Sequence, residues 1–236
     1  MIPISDPDLR HSKRPYITVI LIAINILVFL YQLTLTGVEQ AVFSFQFGLI
    51  PSELAGGSEI GRNLLLYEGL TYPVDLSSPI PTWFTVVSSM FLHGGWLHLM
   101  GNMLFLWVFG DNVEVRFGRI LFLALYFTAG IGAVLAHSLL YSDSSVPLIG
   151  ASGAVSGVLG AYLILYPFSR ITTLIIVGFI FAARIRAIFL LGFWGILQGF
   201  QGMFSLSGGG TSDVAHFAHI GGLLIGVLVI AIGRII

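Results

Sequence analysis

The chain has no cysteine, which excludes disulfides, thiolate metal sites and a cysteine nucleophile at once. Charge is nearly as scarce: 9% of the 236 residues are Asp, Glu, Lys or Arg, whereas a soluble domain carries about 25%. With a formal net charge of -1, nothing argues for nucleic acid as a partner. Internal repeats and low-complexity tracts are also missing. Fully 56% of the residues are hydrophobic, so the composition belongs to a chain whose main solvent is lipid, organised as one domain.

A bilayer core needs about 20 predominantly apolar residues per helix. Such runs are found at 16–35, 94–110, 120–140, 149–166, 186–204 and 214–235. The expected fold class is an all-α membrane protein, a bundle of six transmembrane helices with a large external loop, 37–92, between helices 1 and 2. Arg10, Lys13 and Arg14 precede the first run, which lacks a small-residue cleavage site and reads as a retained helix. The apolar segment 171–183 would reach only about 20 Å as a helix, so it is expected to be a cytoplasmic re-entrant or interfacial segment. Counting it as a span would move Arg184 and Arg186 outside, against the positive-inside bias. With six spans both termini are cytoplasmic, as are Arg116, Arg119, Arg170, Arg184, Arg186 and Arg234. The acidic loop with Glu39, Glu53, Glu59, Glu68 and Asp75 is then external.

Polar side chains in a membrane segment mark function or helix contacts. Here they gather at His93, His98 and Asn102, at Ser152 and Ser156, and at His216 and His219. The second, fourth and sixth spans all run inward from the outer face, so Asn102, Ser152 and His219 share a depth of roughly 5 to 10 Å. A serine hydroxyl becomes nucleophilic when a base takes its proton, and a histidine is the usual base. Donors must also meet the oxyanion, and the free N–H groups at a helix start supply them. Ser152 follows Gly150 and Ala151 at such a start. Gly153, Gly157, Gly222 and Gly226 provide the small faces that let helices approach closely in lipid.

His216, one turn before His219, is the rival base, and His93 is either an oxyanion donor or a structural loop residue. His137 reads as interfacial. No His-Glu-x-x-His pattern accompanies the histidines, so no metal site is expected. A non-catalytic protein that binds membrane clients is one competing function. A channel is another, but it would need polar residues continuing into the inner leaflet, where these spans are almost wholly apolar.

Three motifs in register, His93-Gly-Gly-Trp-Leu-His98-Leu-Met-Gly-Asn102, Gly150-Ala-Ser152-Gly153 and Ala218-His219-Ile-Gly221-Gly222 with Gly226, resemble those of the rhomboid family of intramembrane serine proteases, in its bacterial or archaeal six-helix form. The resemblance runs from Thr82 to Ile230. It implies a dyad of Ser152 and His219 and an oxyanion hole of His98, Asn102, the Ser152 amide and the Gly150 turn. It further implies an acyl-enzyme, no cofactor, transmembrane segments of other proteins as substrates, and a site opening to the external face. The fifth span and the Ser205–Val214 cap would admit substrate. Two positions depart from the pattern: Phe84 and Thr85 stand where many members have Trp-Arg, and Ser156 stands where an aromatic stacks on the catalytic histidine. The second leaves the partner that orients His219 unnamed.

Overall fold

The computed structural model describes residues 1–9, 14–57, 62–67, 70–207 and 214–233. Arg10, Lys13, Glu59, Glu68, Arg234 and most of the Ser205–Val214 cap lie outside them. In chain order the elements are β1 (Ile2–Ser5), α1 (Tyr16–Gln32), α2 (Gly37–Phe47), α3 (Pro51–Leu54), β2 (Arg62–Tyr67), β3 (Leu70–Asp75), α4 (Thr82–Ser88) and a 3-10 turn (Ser89–Phe91). Then follow α5 (Trp96–Phe117), α6 (Arg119–Leu140), α7 (Ser152–Leu165), β4 (Arg170–Val177), β5 (Phe179–Arg186), α8 (Ala187–Leu206) and α9 (His216–Gly233).

The chain is mostly helical, and strands among the described residues correct the all-α expectation. The segment 171–183 belongs to a β-hairpin, in which β4 pairs antiparallel with β5 from Arg170↔Arg186 to Val177↔Phe179, around Gly178 at φ +72°. Its composition explains this: Ile171, Thr172, Thr173, Ile175, Ile176 and Val177 are β-branched and favour strands. β1 joins the other side of β4, giving a sheet ordered β1-β4-β5. β2 and β3 form a separate hairpin within the long loop.

Among the described residues three helices, α6, α8 and α9, are long and apolar enough to cross a membrane, and α1 and α7 are shorter apolar helices. Fourteen residues make α7 about 21 Å long, less than the ~30 Å hydrocarbon core. It forms the axis of the bundle: every residue from Gly153 to Tyr162 is buried, held by α5, α6 and α9. Phe109, Phe122, Tyr126 and Tyr162 fill the surrounding core, with the Phe109 and Tyr162 rings edge to face at 4.9 Å.

Buried polar groups fix the helix ends. Pro15 precedes α1 and no side chain of its own caps it. Instead Glu114 of α5, 2% exposed, accepts from Ile17 N (2.9 Å), Thr18 N (2.7 Å) and Thr18 Oγ1 (2.9 Å). The carboxylate meets otherwise unpaired N–H groups at the positive end of the helix dipole. At the opposite end of α1, Gln32 brackets the backbone of His93, its Oε1 accepting from His93 N (3.1 Å) and its Nε2 donating to His93 O (3.3 Å). Near the base of the sheet Asp6 accepts from Tyr162 Oη, from Ser169 Oγ (2.9 Å) and from Asn112 Nδ2 (3.4 Å), fastening the N-terminal strand to α5 and α7.

Candidate active site

Ser152 is the first residue of α7, so its amide lies outside the helix's own hydrogen-bond ladder. The turn that delivers it contains Gly150 at φ +120°, a conformation that L side chains rarely adopt. There is also no room for one. A Cβ on Gly150 would stand 2.6 Å from His98 Nε2 and 3.8 Å from Asn102 Nδ2, so α5 presents both side chains to the backbone two residues before Ser152.

The hydrogen-bond pattern gives these two groups a direction. His98 Nδ1 lies 3.5 Å from the Gly94 amide, which donates to it, leaving the proton of a neutral ring on Nε2, beside Gly150. Asn102, 7% exposed, lies with Nδ2 3.0 Å from His93 Nε2. An amide nitrogen has two hydrogens, so with one given to His93 the second stays available. His93 is itself 2% exposed and held by Gln32, which makes it the support of Asn102.

His219 lies in the first turn of α9, which packs backbone to backbone against α7. A Cβ on Gly222 would come within 2.0 Å of Gly153 O, and one on Gly226 within 1.9 Å of Gly157 O. Ala129 and Ala133 of α6 close the other side, at 2.1 Å from a Cβ on Gly157 and 2.5 Å from one on Gly153. A Cβ on Gly153, next to Ser152, would reach Ala218 O, next to His219, at 3.8 Å. The chain segments carrying the serine and the histidine are thus direct neighbours with no helix between them. No hydrogen bond joins the two side chains among the described residues. In substrate-free sites such bonds are often long and tighten in the complex.

Ser156 does not reach His219: its hydroxyl donates to Ser152 O at 2.6 Å. The neighbours of His219 come from α8. Gln198 Oε1 lies 2.7 Å from His219 Nδ1 and 2.9 Å from His216 Nδ1, and the Trp194 ring stands 5.8 Å from the His219 ring at 30°. Trp194 and Gln198 are four residues apart and so share a helix face. Sequence reasoning missed both, although Gln198, one of two glutamines in the apolar fifth run, was a visible signal. His137 stacks on Tyr141 at 4.7 Å, and Tyr141 in turn stands 6.2 Å from Phe217. No cluster of three or more His, Cys, Asp or Glu suited to a metal occurs among the described residues.

A glycine-seamed helix pair thus sets a serine turn beside His98 and Asn102, and the comparisons supply the family. The Rhomboid domain family matches residues 81–235, and the chain belongs to the rhomboid family as an integral membrane protein. Relatives include the chloroplastic rhomboid-like protein 11 of Arabidopsis thaliana, 31% identical over 64% of this chain and 52% of that protein. The rhomboid protease AarA of Providencia stuartii is 30% identical over 71% of this chain and 60% of its own length. The rhomboid protease GluP of Bacillus subtilis is 33% identical over 60% of this chain and 24% of its own. The chain therefore matches between about a quarter and three fifths of the length of these relatives.

Proposed function

We propose that the protein is an intramembrane serine endopeptidase that cleaves transmembrane segments of other proteins with Ser152 as nucleophile and His219 as general base. His219 Nε2 takes the hydroxyl proton while Ser152 Oγ bonds to the scissile carbonyl carbon. The oxyanion is met by the Ser152 amide, His98 Nε2–H and Asn102 Nδ2–H. On collapse the C–N bond breaks, the leaving amine receives the proton from His219, and the acyl group remains on Ser152. Water, deprotonated by the same imidazole, then releases it.

The observation that carries this reading is the close approach of His98 and Asn102 to Gly150, two residues before a serine with a free amide at a helix start. The two bacterial relatives are called proteases, which supports it. We further take the chain to cross the bilayer six times with both termini cytoplasmic. The site then opens to the external face beside α8.

Purified Ser152→Ala and His219→Ala variants, assayed on a membrane-spanning substrate, test the assignment. Both should lose cleavage, and only proteins with Ser152 should bind a fluorophosphonate; undiminished turnover by either variant sinks the assignment. Activity should fall on the acid side as the imidazole is protonated, because only its neutral form can take the hydroxyl proton.

A further inference from the structure

We infer that Gln198 is the positioning residue for the catalytic base, fixing the tautomer of His219 from a neighbouring helix. The inference rests on the Ser152–His219 reading and deepens it. A carbonyl oxygen accepts through two lone pairs and donates nothing. With Oε1 2.7 Å from His219 Nδ1 and 2.9 Å from His216 Nδ1, both rings donate Nδ1–H to it. In a neutral imidazole the proton on Nδ1 leaves Nε2 bare, the form a base toward serine requires. Gln198 is 9% exposed and His216 8%, so water competes little for these bonds. Trp194 adds a ring face one turn earlier on the same helix. Together they replace the support that Ser156, turned back onto Ser152 O, does not give.

Gln198 reaches His219 because α8 meets α9 along one stripe. A Cβ on Gly195 would touch Leu223 Cδ2 at 3.2 Å, and one on Gly202 would touch the Phe217 ring at 3.1 Å. Most other faces of α8 carry exposed apolar side chains, such as Phe189, Ile196, Phe200 and Met203. The titratable groups that act on His219 are His216 on its own helix, His98 on α5 and His137 on α6, while α8 itself contributes none.

The test compares wild type, Gln198→Ala and Gln198→Glu. Loss of the acceptor should lower kcat by roughly 10- to 100-fold with little change in KM, less than the ~10⁴ lost when a triad carboxylate is neutralised. Glu keeps an acceptor and adds a negative charge that favours the imidazolium. Gln198→Glu should therefore recover rate at alkaline pH, with its acid limb displaced to higher pH. Nitrogen-15 spectra of His219 should show a protonated Nδ1 and a bare Nε2 in wild type, with that preference lost in Gln198→Ala. Unchanged kcat and pH profile in both variants, or a protonated Nε2 in neutral wild type, would overturn the inference while leaving a Ser152-dependent activity standing. Failure of the parent reading looks different: wild type itself would neither cleave nor take up the fluorophosphonate.

A separate observation carries a second inference. The tip of the β4–β5 hairpin is apolar on both faces and bare, with Val177 69%, Phe179 70% and Ile180 68% exposed. Its base carries Arg170, Arg184 and Arg186, all exposed, and leads directly into α8 at Ala187. We propose that this tip docks into the lipid leaflet on that side of the membrane, with the arginines among anionic headgroups. An apolar end continuous with a lipid-facing helix, behind a cationic collar, is complementary to such a surface. β5 is an edge strand with unpaired backbone groups. It cannot enter the hydrocarbon core, so the tip rests at the headgroup boundary, about 5–10 Å deep.

The cysteine-free chain makes the test clean. A spin label at Phe179→Cys in vesicles of phosphatidylcholine and phosphatidylglycerol should collide with oxygen, relative to a nickel complex, several-fold more than a label at Asp143→Cys in an exposed loop. Arg184→Glu with Arg186→Glu should lessen that difference. Equal nickel access at both sites would overturn the proposal. So would spin–spin broadening at 179 that vanishes on dilution with unlabelled protein, which would assign the tip to a second copy.

Discussion

Replacing Gly222 with alanine puts the α7–α9 seam under a load that can be worked out. The new Cβ would stand 2.0 Å from Gly153 O and 3.0 Å from Gly153 C, with Ser156 Cβ at 3.3 Å. The obstacle is backbone, so rotamer changes cannot relieve it. Ordinary contact begins near 3.4 Å, and reaching it from 2.0 Å requires the two helices to part by about 1.4 Å at that level. Overpacking of this kind costs about 1–3 kcal/mol. The site should suffer more than the fold, because a displacement of ~1 Å between reacting groups can cost on the order of 100-fold in rate. Gly192→Ala on α8, where a Cβ meets nothing within 4 Å, is the matched control. Cleavage rate and melting temperature measured side by side should show Gly222→Ala slowed far beyond its loss of stability and Gly192→Ala near wild type. A Gly222→Ala protein with both values unchanged would refute the argument that this seam sets the distance from serine to histidine.

Asn102→Ala should lower kcat by roughly 10²–10³ while leaving KM close to wild type, since an oxyanion donor acts mainly in the transition state; single-turnover cleavage checks this. Glu114→Ala strips three hydrogen bonds from the start of α1 and should destabilise the protein by about 1–3 kcal/mol, read as a lower melting temperature in detergent. Asp6→Ala should raise hydrogen exchange in β1 and along β4, because its carboxylate ties that strand to Tyr162 and Ser169, with little direct effect on chemistry.

The sequence pointed to the proposed reactive groups more readily than to the residues that contact them. Ser152, His98, Asn102 and His219 stand at fixed short spacings within motifs, and polar residues in apolar runs attract attention by their cost. Gln198, Gln32 and Glu114 are equally costly, yet each acts on a partner between 21 and 97 residues away, a relation no local window contains. Segment 171–183 was ambiguous for a different reason. A short apolar run fits a strand or a helix by periodicity, and it is the β-branched content with Gly178 at the turn that favours the hairpin. The pairing of β1 with β4 joins residues near opposite ends of the chain, and neither strand announces the other.

The seam between α7 and α9 has a mechanical consequence. Two helices that touch through main-chain atoms shift as one body, whereas α8 leans on that body by a single stripe. A bilayer thinner or thicker than the protein prefers would then tilt α8 first, because tilting is how a helix answers such mismatch. Catalysis would respond to the lipid through the handle on the imidazole, while the spacing between the reacting atoms stayed put.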